Sequence, residues 1–202
     1  MFNRDGRGMT TTSQDMEHPL KCAVLVSSVR QQRLGHLLAG WITTRATDAG
    51  HLVDLIDLAA VELPSDVLLE PGGGPSTVLS ARLGAADAFI AVTPEYNASF
   101  PASLKRALDW HYTEWQFKAA LIVSYGVRGG WRAEAQLRTV LAELSVVATR
   151  RSLGIRAPWE STSPDGFEPQ PDLNQALGAG LEELAWWAAT LRSARLERPF
   201  AG

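Results

Sequence analysis

The stretch Thr93-Pro94-Glu95-Tyr96-Asn97-Ala98-Ser99-Phe100-Pro101 lies between an apolar run, residues 88–92, and a segment of helical periodicity that begins near residue 102. A buried strand that stops at Thr-Pro and is followed by a helix is typical of an α/β protein. The polar loop then lies at the carboxyl end of a strand, where open α/β sheets bind their ligands. Because it offers a carboxylate, an aromatic ring and an amide in three consecutive residues, it predicts a site for a planar heteroaromatic ligand.

The same alternation of apolar runs and helical periodicity extends over most of the chain. We predict strands over residues 22–26, 51–58, 87–92, 119–124 and 146–150, and helices over residues 34–49, 77–85, 101–112, 131–144 and 172–196. Alternating strands and helices indicate a parallel sheet that is covered on both faces. We therefore expect an α/β fold of the flavodoxin-like three-layer type, with five parallel strands in the order 2-1-3-4-5. Residues 62–76 and 152–170, which are rich in Pro and Gly, are expected to be irregular.

Length, charge and cysteine content limit the classes of function. The 202 residues suit one domain over residues 20–202, after a polar leader, residues 1–19, that we expect to be disordered. A net charge of −3 gives no reason to expect nucleic-acid or membrane binding. The single cysteine, Cys22, excludes an internal disulfide and is expected to be a buried structural thiol. We expect a cytoplasmic protein without a metal site.

A first segment, residues 27–36, follows the first predicted strand and leads into a helix. It carries the hydroxyls and guanidinium groups of Ser28, Arg30 and Arg33, with Gly35 and His36 at the start of the helix. A helix N-terminus offers free backbone N–H groups, and arginine binds phosphate through two parallel hydrogen bonds. This segment predicts a site for one terminal phosphate. A loop whose arginines are simply solvated remains an equal alternative at this point.

Two further segments follow the third and fourth predicted strands. In the second segment, residues 93–101, the candidate ring-binding residues are Pro94, Glu95, Tyr96 and Asn97. The third segment, residues 124–130, reads Ser124-Tyr125-Gly126-Val127-Arg128-Gly129-Gly130, and its glycines allow the backbone to approach a ligand closely. Since the carboxyl ends of parallel strands share one edge, we expect all three segments to converge.

At these residues the chain resembles the NADPH-dependent FMN reductase family of flavin, quinone, azo and chromate reductases. The second segment, with the residues that continue it as far as Trp110, is the most specific part of the resemblance, which covers about residues 21–153. It implies that the FMN phosphate is held by one group, Ser28, Arg30, Arg33 and Gly35, with His36 adjacent. It further implies that Pro94, Glu95, Tyr96 and Asn97 flank the isoalloxazine, while Ser124, Gly126, Gly129 and Gly130 border its pyrimidine side or the ribityl chain.

This chain departs from the pattern of many relatives in the first segment. Ser27 stands where many of them have Gly, and Arg33 stands where many have Ser. The resemblance therefore implies a more cationic phosphate site here.

The resemblance implies that a hydride passes from NADPH or NADH through bound FMN to an acceptor such as a quinone, free flavin, an azo compound or a metal oxyanion. Because the flavin carries the chemistry, no catalytic residue is expected from the protein itself. The alternatives are a non-enzymatic electron carrier or redox sensor, and a binding module that has lost its cofactor.

Aromatic residues cluster at two places outside these segments. Trp110, Tyr112, Trp115 and Phe117 follow the helix after the second segment, and Trp186-Trp187 lies on the last predicted helix. So many aromatic side chains exceed what the buried stripe of one helix needs. We therefore expect a homodimer or homotetramer that uses part of them as an interface.

Overall fold

The computed structural model describes residues 19–200, which form a parallel sheet with helices on both faces. The strands are β1 (Lys21–Val26), β2 (Leu52–Asp57), β3 (Ala88–Pro94), β4 (Ala119–Gly126), β5 (Val147–Ala148), β6 (Leu153–Arg156), β7 (Thr162–Ser163) and β8 (Gly166–Phe167). The α-helices are α1 (Gly35–Asp48), α2 (Val78–Ala85), α3 (Ala102–Trp110), α4 (Trp131–Glu143) and α5 (Pro171–Glu197). Three short 3₁₀ helices complete the regular structure: Leu58–Ala60, Asp66–Leu68 and Pro158–Ser161.

The main sheet has the strand order β2-β1-β3-β4-β5, which confirms the predicted flavodoxin-like topology. Each of these neighbours is parallel; Val26 of β1 lies opposite Val92 of β3, and Pro94 of β3 lies opposite Tyr125 of β4. The ends of β1, β3 and β4 therefore lie at one edge of the sheet. That edge is where the three predicted segments begin.

Side-chain alternation along the strands builds two separate apolar cores. In β1, Val24 and Val26 face a core that α1 and α5 cover, whereas Ala23 and Leu25 face a core that α2, α3 and α4 cover. Both faces of a parallel sheet are apolar for this reason, and the strands read as continuous apolar runs. These two layers of helices hold the sheet edge rigid.

Beyond β4, the structure differs from the prediction, which placed a single strand over residues 146–150. Thr149 interrupts it, because its hydroxyl donates to the carbonyls of Ala120 (3.2 Å) and Arg151 (2.8 Å). The chain then returns as β6, which also pairs in parallel with β4. The region predicted to be irregular thus contributes a sixth strand to this sheet, followed by the antiparallel hairpin of β7 and β8.

Several side chains outside the three segments are placed by this packing. Cys22 is buried, as expected, and burial together with the Asp87 charge raises the pKa of its thiol to about 12. Trp110 and Trp115 are also fully buried, so these two members of the aromatic cluster belong to the core and are not interface residues. Tyr112 and Trp186 remain exposed.

The predicted leader and the predicted domain bounds concern the ends of the chain. The predicted leader lies outside the described residues except for Pro19, and a single domain over residues 20–202 stays a prediction. Among the helices of residues 19–200, none has both the length and the apolar character that crossing a membrane requires.

Candidate functional site

The first and second segments are joined by direct side-chain contacts at the sheet edge. The Oγ of Ser27 donates to the carbonyl of Val92 (3.0 Å), which fixes the first segment to the end of β3. Ser28 is buried, and its Oγ lies 2.7 Å from the hydroxyl of Tyr96, a hydrogen-bond distance. The convergence that the sequence predicted therefore exists for these two segments.

Arg30 makes a second contact between the same two segments. Its guanidinium carbon lies 3.7 Å from the centre of the Tyr96 ring, in the geometry of a cation–π interaction. Within residues 19–200, no carboxylate forms an ion pair with Arg30. An exposed cation is thus held in place by an aromatic ring, and its hydrogen-bond donors remain free for an anion.

Arg33 is placed differently from Arg30. Its guanidinium forms a short ion pair with the carboxylate of Asp57, the last residue of β2, and its Nε is buried without a hydrogen-bond partner among the described residues. One NH₂ group of this guanidinium is therefore already bonded to Asp57. Arg33 ties the first segment to the neighbouring strand, and its charge is partly compensated by Asp57.

The start of α1 supplies backbone donors at the same place. Leu34 occupies the N-cap position and provides no side-chain acceptor, so the first-turn N–H groups have no side-chain cap. Gly35 is buried, while His36 is exposed in the first turn. Uncapped N–H groups together with the positive end of the helix dipole attract an anion.

Tyr125 lies at this edge of the sheet and is a candidate site residue that the sequence analysis missed. Its hydroxyl is buried, forms no hydrogen bond of normal distance and angle among the described residues although the Ser28 side chain is close by, and lies 2.9 Å from the position that a Cβ on Gly35 would take. Burial, and to a smaller degree the neighbouring Tyr96, raises the pKa of Tyr125, so its phenol stays protonated and can donate at neutral pH. Its place one residue after Ser124, at the end of β4, was the signal that could have identified it.

The second segment folds into a tight turn over Tyr96 to Ser99. The Tyr96 and Ser99 backbones exchange two hydrogen bonds of 2.8 and 3.0 Å, and both central residues, Asn97 (φ 49°) and Ala98 (φ 64°), are left-handed. The side-chain amide of Gln136 on α4 donates to the carbonyl of Ala98 (2.9 Å) and supports this turn. A left-handed alanine costs free energy and persists only where surrounding contacts hold it.

Glu95 links the second segment to α4. Its carboxylate accepts a hydrogen bond from the backbone N–H of Arg132 (3.1 Å), at the positive end of that helix. Its own N–H donates to the carbonyl of Tyr125 (2.9 Å). Glu95 and the buried Pro94 therefore fix the path of the second segment beside the third.

The third segment is shaped by its glycines. Gly129 (φ 79°) and Gly130 (φ 75°) are left-handed, and a Cβ on Gly130 would lie 2.7 Å from the backbone N of Tyr125. The Oγ of Ser124 donates to the carbonyl of Gly129 (2.8 Å), so this hydroxyl holds the segment in shape. Gly126 is the last residue of β4. A Cβ on it would contact Glu95, so the backbone at Gly126 lies next to the second segment.

Comparisons with known proteins match this arrangement. A family profile described as NADPH-dependent FMN reductase matches residues 20–159. An NAD(P)H-dependent FMN reductase of Schizosaccharomyces pombe is 30% identical over 183 residues, which cover 84% of this chain and 90% of that protein. A quinone reductase of Escherichia coli K12 is 30% identical over 144 residues, covering 67% and 77%. The solved structure of FerB, a flavoenzyme NAD(P)H:(acceptor) oxidoreductase from Paracoccus denitrificans, aligns with a TM-score of 0.70 at 26% identity, covering 85% of this chain and 98% of FerB.

The glycine at position 130 gives a direct test of the geometry of the third segment. Gly130→Ala adds a Cβ into backbone atoms at a left-handed residue, so we expect it to lower the free energy of unfolding by about 1–3 kcal/mol. The measurement is urea unfolding of the cofactor-free protein. Gly40→Ala is the matched control: it adds a methyl group in open space within α1 and is expected to be neutral or stabilising. Equal effects of the two substitutions would contradict the assigned conformation.

Proposed function

Because the chain belongs to the NADPH-dependent FMN reductase family, we propose that it binds FMN and passes a hydride from NAD(P)H to a quinone or a free flavin. The observation that carries this proposal is the direct junction of Arg30 and Ser28 with Tyr96. It joins an anion-binding segment to a ring-binding segment at one edge of the sheet. Bound FMN supplies the redox chemistry, whereas the protein supplies binding and orientation.

The phosphate end of this site is formed by donors that lack acceptors within the described residues. Arg30, the uncapped start of α1 at Gly35, and the buried Tyr125 hydroxyl all lie around the first segment. A buried hydroxyl without a partner is unfavourable, and a phosphate oxygen would satisfy it. We therefore add Tyr125 to the proposed phosphate residues Ser28, Arg30 and Gly35.

Arg33 and His36 are less suited than Arg30 to contact the phosphate directly. Since Asp57 already pairs with Arg33, we assign it to holding the first segment and to adding positive charge near the phosphate. His36 is exposed in the first turn of α1, next to the proposed phosphate site.

The ring end of the proposed site is formed by the second and third segments. Pro94, Glu95, Tyr96 and Asn97 provide backbone and side-chain groups along one side, fixed by the Glu95 contact with α4. On the other side, the backbone at Gly126, Gly129 and Gly130 can approach the isoalloxazine without side chains in between. Ser124 supports this side through its bond to Gly129 and is proposed as a positioning residue.

An electron carrier is the second candidate function. The names of the two sequence relatives, an FMN reductase and a quinone reductase, favour an enzyme over a carrier. That azo compounds and metal oxyanions also serve as acceptors remains a prediction.

A second copy of this chain is the partner that we propose. A cavity of about 450 Å³ lies between α3, α4 and the loop at Gly73, with Leu108, Tyr112 and Val140 among its lining residues. The lining also carries the charged side chains Glu70, Lys105, Asp109 and Glu143, so the surface is partly apolar and partly charged. Tyr112, which is 40% exposed, extends it beyond the end of α3. Trp186, which is 60% exposed, lies on α5 at the opposite face of the sheet. We propose a homodimer through the α3–α4 surface, and a tetramer if α5 also pairs.

A cytoplasmic location also remains a proposal. Its support is the donor, NAD(P)H, that the proposed reaction consumes; the single buried cysteine suits a reducing and an oxidising compartment equally and does not distinguish them.

The activity test uses the purified protein. We expect flavin absorbance, and catalytic oxidation of NADPH or NADH when a quinone or FMN is added, because the bound cofactor accepts a hydride and must pass it on. The measurements are the visible absorption spectrum and the loss of nicotinamide absorbance over time. A yellow protein without turnover would favour the electron carrier, and a protein that binds no FMN would refute the proposed function.

Two substitutions test the phosphate end. Arg30→Ala removes a charge-assisted hydrogen bond and is expected to weaken FMN binding by about 1.5–3 kcal/mol. Tyr125→Phe removes only the hydroxyl, so it should weaken FMN binding by about 1–2 kcal/mol without destabilising the cofactor-free protein, in which that hydroxyl has no partner. The measurements are FMN titration and urea unfolding. Unchanged FMN affinity would remove that residue from the proposed site.

The oligomer test uses one substitution at each of two exposed aromatic residues, Tyr112 and Trp186. Tyr112→Glu places a charge in the proposed interface, so sedimentation at micromolar concentration should change from dimer to monomer. Trp186→Glu is the matched control and should leave the dimer intact. A wild-type protein that sediments as a monomer would contradict the proposed dimer.

A further inference from the structure

A cavity of about 430 Å³ lies against the third segment, and none of the residues assigned to FMN lines it. Its lining residues are Val127, Arg156, Ala157, Trp159 and Glu160. It belongs to the same edge of the sheet, because Arg156 ends β6 opposite Gly126 of β4. The N–H of Ala157 donates to the carbonyl of Gly126 (2.9 Å) and holds the two elements together.

The chemistry of this cavity suits an anionic heteroaromatic ligand. Trp159 is 50% exposed and presents an indole ring at its wall. Arg156 is exposed, as is Arg128 on the third segment, and neither forms an ion pair within residues 19–200. Arginine recognises phosphate through paired hydrogen bonds, and an aromatic ring stacks on a base. The Glu160 carboxylate can accept hydrogen bonds from hydroxyl groups.

The backbone that positions Trp159 is itself unusual. Ala157 is left-handed (φ 45°, ψ 53°), and the buried Pro158 then begins the 3₁₀ helix Pro158–Ser161. A left-handed residue with a side chain is uncommon and costs free energy, and such residues cluster at ligand sites. The turn directs the chain so that Arg156 and Trp159 line one cavity.

We propose that this cavity binds the adenosine half of the hydride donor, with its 2′-phosphate on Arg156 and its adenine against Trp159. The enzyme would then prefer NADPH to NADH, because NADH lacks that phosphate. Glu160 would accept a hydrogen bond from a ribose hydroxyl. The cavity volume lies in the range of small-molecule sites. This inference rests on the proposed function.

The order of the strands separates the FMN phosphate from the 2′-phosphate that we propose for the donor. The FMN phosphate is assigned to the segment after β1, and the rings to the segments after β3 and β4. The cavity lies one strand further, at β6, which is three strand spacings or about 15 Å from β1. A donor whose nicotinamide lies on the rings therefore needs a second cationic site, and Arg156 lies on the side away from the first segment.

The kinetic test compares both donors on the FMN-loaded enzyme with a saturating quinone. Arg156→Gln should lower kcat/KM for NADPH by about tenfold to hundredfold, the loss of a charge-assisted hydrogen bond, and kcat/KM for NADH by less than about twofold. Arg45→Gln is the matched control: it removes the same charge from an exposed arginine in the last turn of α1, at the other edge of the sheet, and should change neither. An equal loss for both donors, or no loss, would overturn the proposal.

A binding test works without turnover. Adenosine 2′,5′-bisphosphate, titrated by calorimetry into the FMN-loaded protein, should bind the wild type, and bind Arg156→Gln and Trp159→Leu at least about tenfold more weakly. Equal binding to wild type and variants would overturn the proposal. If Trp159→Leu instead raises only the KM for quinone, the cavity serves the acceptor and the proposal fails. The flavin spectrum separates these results from failure of the proposed function, in which the protein holds no FMN.

Discussion

The parallel register of β1, β3 and β4 is the constraint on which the site depends. Pro94 lies opposite Tyr125, and Val26 lies opposite Val92, so the three strands end within about three residues of one another. A slip of one residue in β4 would turn Tyr125 from the α1 face to the α3 face, since successive strand residues face opposite ways. The two apolar cores prevent such a slip, because it would place every buried side chain of that strand on the wrong side.

The contacts at this edge of the sheet stabilise backbone conformations that are unfavourable on their own. Left-handed residues concentrate there, at Asn97, Ala98, Gly130 and Ala157. Two of them are supported by a neighbour: Gln136 donates a hydrogen bond to the carbonyl of Ala98, and the carbonyl of Gly126 accepts one from Ala157. Tyr96 joins this framework to the first segment through its hydroxyl and its ring face. Part of the backbone strain thus lies at the edge where polar groups are needed, while Phe117 and Ser145 are left-handed at the opposite end of the strands.

Most of the fold could be predicted from the sequence, because buried parallel strands are continuous apolar runs and amphipathic helices have a clear period. Convergence of the three segments followed from the topology alone. What local patterns cannot show is pairing between distant residues: Arg33 meets Asp57 of a strand 24 positions later, and Thr149 ends β5 through the carbonyl of Ala120. Two-residue strands such as β7 and β8 carry no period, and composition did not separate the buried Trp115 from the exposed Tyr112.

The buried phenol of Tyr125 affects the stability of the protein with and without its cofactor. A buried hydroxyl without a partner costs about 1–3 kcal/mol, a sizeable share of the stability of an ordinary domain. Because a ligand that binds only the native state stabilises it by mass action, occupancy of the phosphate end adds to fold stability. The cofactor-free chain is then less stable than the loaded one and is more readily opened to proteases.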